Sequence, residues 1–221
     1  MPNIFQLRKL STELALSKVK LVAVSKTYPI NDIQMVYDSG HKIFGENKVQ
    51  EMLQKSTLLP TDIEWHLIGH LQSNKVKYIA PFVHLIHSVD NLKLLHEINK
   101  QGQKNNRIIN CLLQIKITPE LTKTGFELGN FEQLVKNEAL LTLPYVRICG
   151  LMGMASFSKD KILVAQEFAE LKKLFDRLKA GYFTNTPYFS ELSMGMSGDY
   201  TLAISQGSTM VRIGSLIFGN R

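Results

Sequence analysis

The stretch Leu21-Val-Ala-Val-Ser-Lys26-Thr-Tyr-Pro29 ends a short apolar run with a lysine. The run is rich in β-branched valine and is stopped by Pro29, which predicts a strand covered on both faces. Lys26 then leaves the strand at its carboxyl end, the edge at which α/β folds build their active sites. A lysine in such a place can lose its proton through desolvation and attack an aldehyde. The alternative is that Lys26 extends to water as an ordinary strand-end cation.

Seven further apolar runs follow along the chain. Together the eight runs predict strands at residues 21–25, 42–44, 63–68, 84–89, 108–117, 146–152, 188–193 and 210–213. Helical periodicity occupies residues 31–39, 48–55, 74–79, 91–100, 131–138 and 163–178, and an amphipathic helix over 3–17 precedes the first strand. With no Pro/Gly/Ser-rich linker, this alternation predicts an α/β protein, a single (β/α)8 barrel domain spanning residues 1–221. An open doubly wound sheet would alternate in the same way, although no Gly-x-Gly-x-x-Gly sequence follows the first strand.

Composition narrows the class of protein. The chain has 221 residues, of which 44% are hydrophobic and 20% charged, as is typical of a globular domain. It shows no signal-peptide pattern and no run of membrane-spanning length, so we expect a cytoplasmic protein without membrane association. Cys111 and Cys149 each lie inside an apolar run and are expected to be buried rather than paired. The net charge of +7 is scattered without a basic block, which disfavours nucleic acid as a partner and favours attraction of phosphorylated small molecules.

Hydroxyl and glycine residues collect after the last two predicted strands. They occur in Ser190-Glu-Leu-Ser193-Met-Gly-Met-Ser197-Gly-Asp199 and in Gly207-Ser-Thr-Met-Val-Arg212-Ile-Gly214-Ser215. Barrels commonly bind phosphate in these two loops, which predicts a phosphate site. The alternative is that the glycines serve tight turns and that Arg212 pairs with a core carboxylate.

Closure of a barrel brings strand one beside strand eight, so Lys26 is expected to lie close to this phosphate site. A lysine, a phosphate site and a barrel together suggest pyridoxal 5′-phosphate (PLP), whose aldehyde condenses with an amine while its phosphate is anchored elsewhere.

Several motifs in order resemble the pyridoxal phosphate homeostasis protein family, and the resemblance covers nearly the whole chain. They are Val24-Ser-Lys26-Thr, Phe44-Gly-Glu-Asn47, Trp65-His66-Leu-Ile-Gly-His-Leu-Gln72, Gly150-Leu-Met-Gly-Met154, Leu192-Ser-Met-Gly-Met-Ser197 and Gly207-Ser-Thr-Met-Val-Arg212-Ile-Gly214. The resemblance implies a fold-type III barrel like the N-terminal domain of alanine racemase, with PLP held as a Schiff base on Lys26. It further implies that the phosphate is held by Ser193, Arg212, Gly214 and Ser215.

Asn47 and His66 are expected at the same mouth of the barrel. For Asn47 the alternative is a helix N-cap, and for His66 a strand residue satisfied internally. A metal site built from Glu64, His66 and His70 is not expected, because strand geometry followed by Gly69 does not make these ligands converge. Position 70 is histidine where the family often has proline, and the loop over 117–126 is altered, which puts the loop contacts in doubt but not Lys26.

The resemblance leaves a choice between a carrier and an enzyme. In alanine racemases, a tyrosine from a separate C-terminal domain of the partner subunit supplies the second acid/base, and this sequence ends at Arg221 without such a domain. We therefore expect a non-catalytic protein, a monomer rather than a dimer, that binds PLP and passes it to PLP-requiring apo-enzymes. A PLP-dependent amino-acid racemase or lyase remains the alternative. Whether Arg212 faces the phosphate or the pyridine nitrogen is open.

Overall fold

Eight parallel strands follow one another around a closed ring in the computed structural model, which describes residues 1–118, 120, 124–129, 131, 135 and 142–219. The strands are β1 (Lys20–Val24), β2 (Ile43–Glu46), β3 (Glu64–Leu67), β4 (Leu85–Val89), β5 (Ile109–Lys116), β7 (Val146–Met152), β8 (Glu191–Met196) and β9 (Met210–Ile213). A two-residue strand, β6 (Phe126–Glu127), pairs with the end of β5 outside the ring. The ring closes where β1 pairs with β9, Leu21 opposite Val211, so the predicted (β/α)8 barrel is confirmed.

Eight helices within the described residues surround the barrel, six of them where the periodicity predicts a helix; the last two were not predicted. They are α1 (Ile4–Leu16), α2 (Ile30–Asp38), α3 (Val49–Ser56), α4 (Val76–Ile79) after a 3-10 turn (Ser73–Lys75), α5 (Leu92–Lys104), α6 (Lys161–Gly181), α7 (Tyr200–Ser205) and α8 (Ser215–Phe218). Most of the helix predicted at 131–138 lies outside the described residues. Among the helices within them, none has the length and apolarity needed to cross a membrane.

The period of two along each strand divides the core into two layers. On β1, Leu21 and Ala23 face outward into the main cluster between strands and helices, whereas Val22 faces the barrel axis. The axial cluster is small and consists of Val22, Leu85, Leu112, Cys149, Met152 and Met210. Each fully buried side chain of this size stabilises the fold by roughly 1.5–3 kcal/mol. The axial residues therefore fill the middle of the barrel, and cavities lined by polar side chains lie at its two ends.

One strand boundary differs from the prediction in a way that matters for the site. The seventh strand was predicted over 188–193, but β8 runs from Glu191 to Met196. Phe189 contributed to the apolar pattern that predicted the start of the strand. Its ring instead stacks between those of Phe175 and Phe183, at centroid distances of 5.0 and 4.1 Å. The offset of three residues moves Ser193 from the end of the strand to its middle.

Candidate functional site

A cavity of about 610 Å³ opens at the carboxyl ends of the strands. Five of the predicted site residues line it, namely Lys26, Asn47, Arg212, Gly214 and Ser215. Lys26 continues the inward face of β1 beyond Val22 and Val24, and Arg212 belongs to the inward face of the adjacent β9. The barrel thus brings an amine and a guanidinium from neighbouring strands to one mouth.

The turn that carries Lys26 is held from outside the barrel. Thr27, a β-branched residue, has a φ of 67° in the left-handed region, a conformation that costs about 1–2 kcal/mol for a residue other than glycine. Its N–H donates to Glu51 Oε1 on α3. Lys55, also on α3, donates to the carbonyl of Ser25 at 2.8 Å and to Glu51 Oε1 at 2.7 Å. Bonds on both sides of Lys26 thus hold the turn despite its strained backbone.

Glu46 at the end of β2 completes this support. Its Oε1 accepts from Lys55 Nζ at 2.7 Å and from Ser25 Oγ at 2.7 Å, and its side chain is fully buried. Burial raises the pKa of the Glu46 carboxyl above its ordinary value, although Lys55 and Ser25 act in the opposite direction. We call Ser25, Glu46, Glu51 and Lys55 the turn clamp, because together they determine where Lys26 leaves the strand.

Arg212 is fixed at the floor of the cavity. Its Nη1 donates to Ser193 Oγ at 2.6 Å and its Nη2 to the carbonyl of Gly153 at 3.2 Å. Burial lowers the pKa of Arg212 to about 10, so the guanidinium remains charged at neutral pH. A buried cation held by two neutral acceptors is suited to an anionic ligand.

A chain of buried polar groups runs from Arg212 across the barrel. Ser193 Oγ lies 3.1 Å from His87 Nδ1, and His87 Nε2 lies 2.9 Å from His66 Nδ1. Burial lowers the pKa of both imidazoles well below the ordinary value, which keeps them neutral. We call Arg212, Ser193, His87 and His66 the axial chain.

Two of the predicted site residues, Ser193 and His66, lie below the cavity. Ser193 is fully buried, and neither Ser193 nor His66 is among the residues that line the cavity. Both face inward from the middle of their strands, one layer below the mouth, as the period of two requires. Just beyond the end of β3 the next inward residue, Ile68, lines the cavity, whereas His66 does not.

Ser197 is a lining residue that the sequence-based site assignment missed. Its Oγ accepts from the backbone N–H of Gly214 at 3.3 Å, which joins the two loops predicted to hold phosphate. The motif that drew attention to Ser193 also contains Ser197. The correct end of β8 would have selected Ser197.

Asn47 is held at the mouth by backbone contact. A Cβ on Gly69 would lie 2.3 Å from the Asn47 carbonyl oxygen, so the approach of the two chains requires glycine. The N-cap of α3 is Lys48, so Asn47 does not have the capping role weighed from the sequence. Its side chain is therefore available as part of the cavity wall.

Other lining residues were not predicted because their placement depends on distant loops. Tyr28 donates its hydroxyl to the carbonyl of Gly219 at 2.6 Å and stacks on Phe218. Gln114 donates to the carbonyl of Thr124 at 2.7 Å. His70 lies at the same mouth, 3.3 Å from Asp90, whereas Glu64 and His66 face the opposite end of the barrel.

Comparison with known proteins is consistent with this geometry. The family model described as "Alanine racemase, N-terminal domain" matches residues 3–221. The structure also resembles an alanine racemase from Bartonella henselae with a TM-score of 0.69 at 16% identity, covering 97% of this chain and 59% of the racemase, a similarity that concerns the fold.

Closer relatives define the family more narrowly. The pyridoxal phosphate homeostasis protein of Aquifex aeolicus is 43% identical over 203 residues, covering 91% of this chain and 87% of the relative. That of Escherichia coli K12 is 38% identical over 208 residues, covering 92% and 86%. The structure of PipY from Synechococcus elongatus with PLP bound matches with a TM-score of 0.85 at 33% identity, covering 98% of this chain and 99% of PipY. The chain belongs to the pyridoxal phosphate homeostasis protein family.

Proposed function

We propose that the protein binds PLP in the cavity at the mouth of the barrel, through a Schiff base on Lys26. The observation that carries the proposal is that Lys26 and Arg212 line one cavity, together with the two loops at Ser197–Gly198 and Gly214–Ser215. The Lys26 amine condenses with the aldehyde of PLP, a C=N bond replaces C=O, and one water molecule leaves with the two amine hydrogens.

The two loops supply suitable donors for a phosphate. The first N–H groups of α8 have no partner within the helix, and the hydroxyls of Ser197 and Ser215 line the same cavity. Arg212 adds a fixed positive charge at the floor. Asn47 and Gly69 form the wall on the other side of Lys26. We therefore assign Ser197, Gly214, Ser215 and Arg212 to the anion, and Ser193 to the orientation of Arg212.

The proposed physiological role is carriage of PLP to PLP-requiring apo-enzymes, without turnover of an amino acid. The printed name of the curated relatives, a homeostasis protein, supports this role. An enzyme of the racemase or lyase class would instead remove the α-proton of a bound amino acid repeatedly.

A spectroscopic titration tests the binding proposal. We expect wild type to develop the visible absorption of a Schiff base on addition of PLP, and Lys26→Ala to show none while retaining its melting temperature. Lys48→Ala is the matched control, because Lys48 is exposed at the same end of the barrel and does not line the cavity. An unchanged band in Lys26→Ala would overturn the assignment.

A second assay separates the carrier from the enzyme. We expect the PLP-loaded protein to restore activity to an apo-enzyme. With L- or D-alanine in deuterated water it should give no more α-proton exchange than free PLP. If wild type catalyses stereospecific α-proton exchange over many turnovers and Lys26→Ala does not, the protein is an enzyme and the carrier role is wrong.

A further inference from the structure

A second cavity lies at the end of the barrel opposite the mouth. It measures about 480 Å³, and its wall includes Glu64, His66, His84 and Asn110. Glu64 and His66 face inward from β3, and His84 immediately precedes β4, with its backbone N–H bonded to the carbonyl of Trp65. This strand pairing brings one carboxylate and two imidazoles together, with one ligand atom of each within 4.8 Å of the others.

Two buried polar atoms at this cavity lack a partner within the described part of the chain. They are Nε2 of His66, a residue with 2% exposure, and Oδ1 of Asn110. The amide nitrogen of Asn110 donates to the carbonyl of His84 at 3.3 Å, which accounts for the other end of that side chain. An unsatisfied buried polar atom costs about 1–3 kcal/mol, so each of the two atoms is expected to take a partner from outside the chain, an ion or a bound water.

We propose that Glu64, His66 and His84 bind one divalent transition-metal ion of the zinc class at this end of the barrel. Two imidazoles and one carboxylate form a donor set that zinc sites use when they keep a fourth position for water. The carbonyl oxygen of Asn110 lines the same cavity and can accept a hydrogen bond from such a water. The site is separate from the mouth and does not depend on PLP.

The surroundings of His66 fit a metal ligand. Metal-binding histidines usually donate their second ring N–H to a neighbouring acceptor, and Nδ1 of His66 lies 2.9 Å from Nε2 of His87.

The other two ligands can adjust to the ion. His84 Nε2 and Glu64 Oε2 already lie 3.4 Å apart, close to the ~3.3 Å that separates ligand atoms in a tetrahedral zinc site. The rings of His66 and His84 stack nearly parallel, with centroids 5.5 Å apart, so His84 must rotate to share an ion with His66. The side chains of His84 and Glu64 are 46% and 42% exposed, which leaves them room to do so.

The charges around the cavity indicate which metals bind. Lys20 and Arg147 are cations on its wall, and the carboxylate of Glu191 is paired with Lys20 at 2.5 Å. This surface does not favour a hard cation that is held mainly by charge. Imidazole ligands instead favour zinc and its neighbours over magnesium or calcium. Selectivity for Zn²⁺ over Mg²⁺ is therefore part of the proposal.

Calorimetric titration of the tag-free protein with ZnCl₂ tests the site. We expect one equivalent to bind with a dissociation constant of about 1 µM or tighter. MgCl₂ should not compete. His84→Ala and Glu64→Gln should each weaken zinc binding at least about tenfold while retaining the metal-free melting temperature. His70→Ala is the matched control, because His70 pairs with Asp90 in the same way at the opposite end. It should leave zinc binding unchanged.

The identity of the ligands has an independent readout. The protein loaded with Co²⁺ should show the visible spectrum of a four-coordinate site with nitrogen ligands, and His84→Ala should lose it. Absence of saturable zinc binding, equal affinity in wild type and His84→Ala, or loss of binding in His70→Ala would each overturn the proposal.

Discussion

At the scale of single residues, the site depends on which serine reaches the cavity. Ser193 supports Arg212 from below, whereas Ser197 lines the cavity beside Gly214. The two hydroxyls therefore have different roles, although they are four residues apart in one motif.

Substitution of the two serines should separate these roles. Ser193→Ala removes the hydrogen-bond partner of Arg212 Nη1 and of His87 Nδ1 and should lower the unfolding free energy by about 1–3 kcal/mol. Ser197→Ala should leave stability nearly unchanged but weaken PLP binding about tenfold, because it removes a hydroxyl donor to a charged phosphate. Denaturant unfolding and titrations with PLP and with unphosphorylated pyridoxal measure both effects. If Ser197→Ala weakens pyridoxal as much as PLP, the phosphate assignment is wrong.

The sequence alone was sufficient to place Lys26 and Arg212 at the mouth, but not to give the depth of Ser193 and His66 in the barrel, and this difference has a physical reason. Lys26 and Arg212 end or nearly end short apolar runs, so local pattern alone placed them at the carboxyl edge. Ser193 lies one layer lower than predicted because β8 ends three residues later than the sequence indicates. His66 lies below the cavity because inward-facing side chains on one strand occupy successive layers. To predict how far from the mouth an inward-facing side chain lies, one must know where its strand ends as well as which residues form the strand.

At the scale of elements, α3 positions the turn after β1 through the turn clamp. Two carboxylates share one lysine there, and burial of Glu46 opposes its ionisation. The position of Lys26 is therefore coupled to a buried titratable group on the neighbouring strand.

The clamp predicts a pH dependence of stability. Because the folded-state pKa of Glu46 is raised, its contribution is fully present below the ordinary value of 4.5 and is lost as pH rises through the folded-state value. The unfolding free energy of wild type relative to Glu46→Gln should then fall above pH 4.5, with a slope of at most about 1.4 kcal/mol per pH unit. Urea unfolding of both proteins from acid to neutral pH measures it. A relative stability that rises with pH would mean that Lys55 outweighs burial.

At the scale of the whole molecule, two different groups of polar side chains lie at opposite ends of the barrel. The mouth holds an amine, a guanidinium and the two loops proposed to bind the anion. The opposite end holds imidazoles and a carboxylate, and the axial chain runs between the two ends. Alternation of strands and helices was sufficient to predict the barrel, because that pattern is local. The cluster at the opposite end was not predicted, because His84 meets His66 only through the pairing of β3 with β4. The set Glu64, His66 and His70, from which the sequence predicts no metal site, does not come together, because His70 lies at the mouth.

The central claim is that one lysine holds PLP. Reduction of the PLP-loaded protein with borohydride, followed by protease digestion and mass spectrometry, locates the modified side chain directly. We expect a single pyridoxyl adduct on the peptide that contains Lys26, and none in Lys26→Ala treated in the same way. Modification mainly at another lysine, such as Lys48 at the same end of the barrel, would contradict the account.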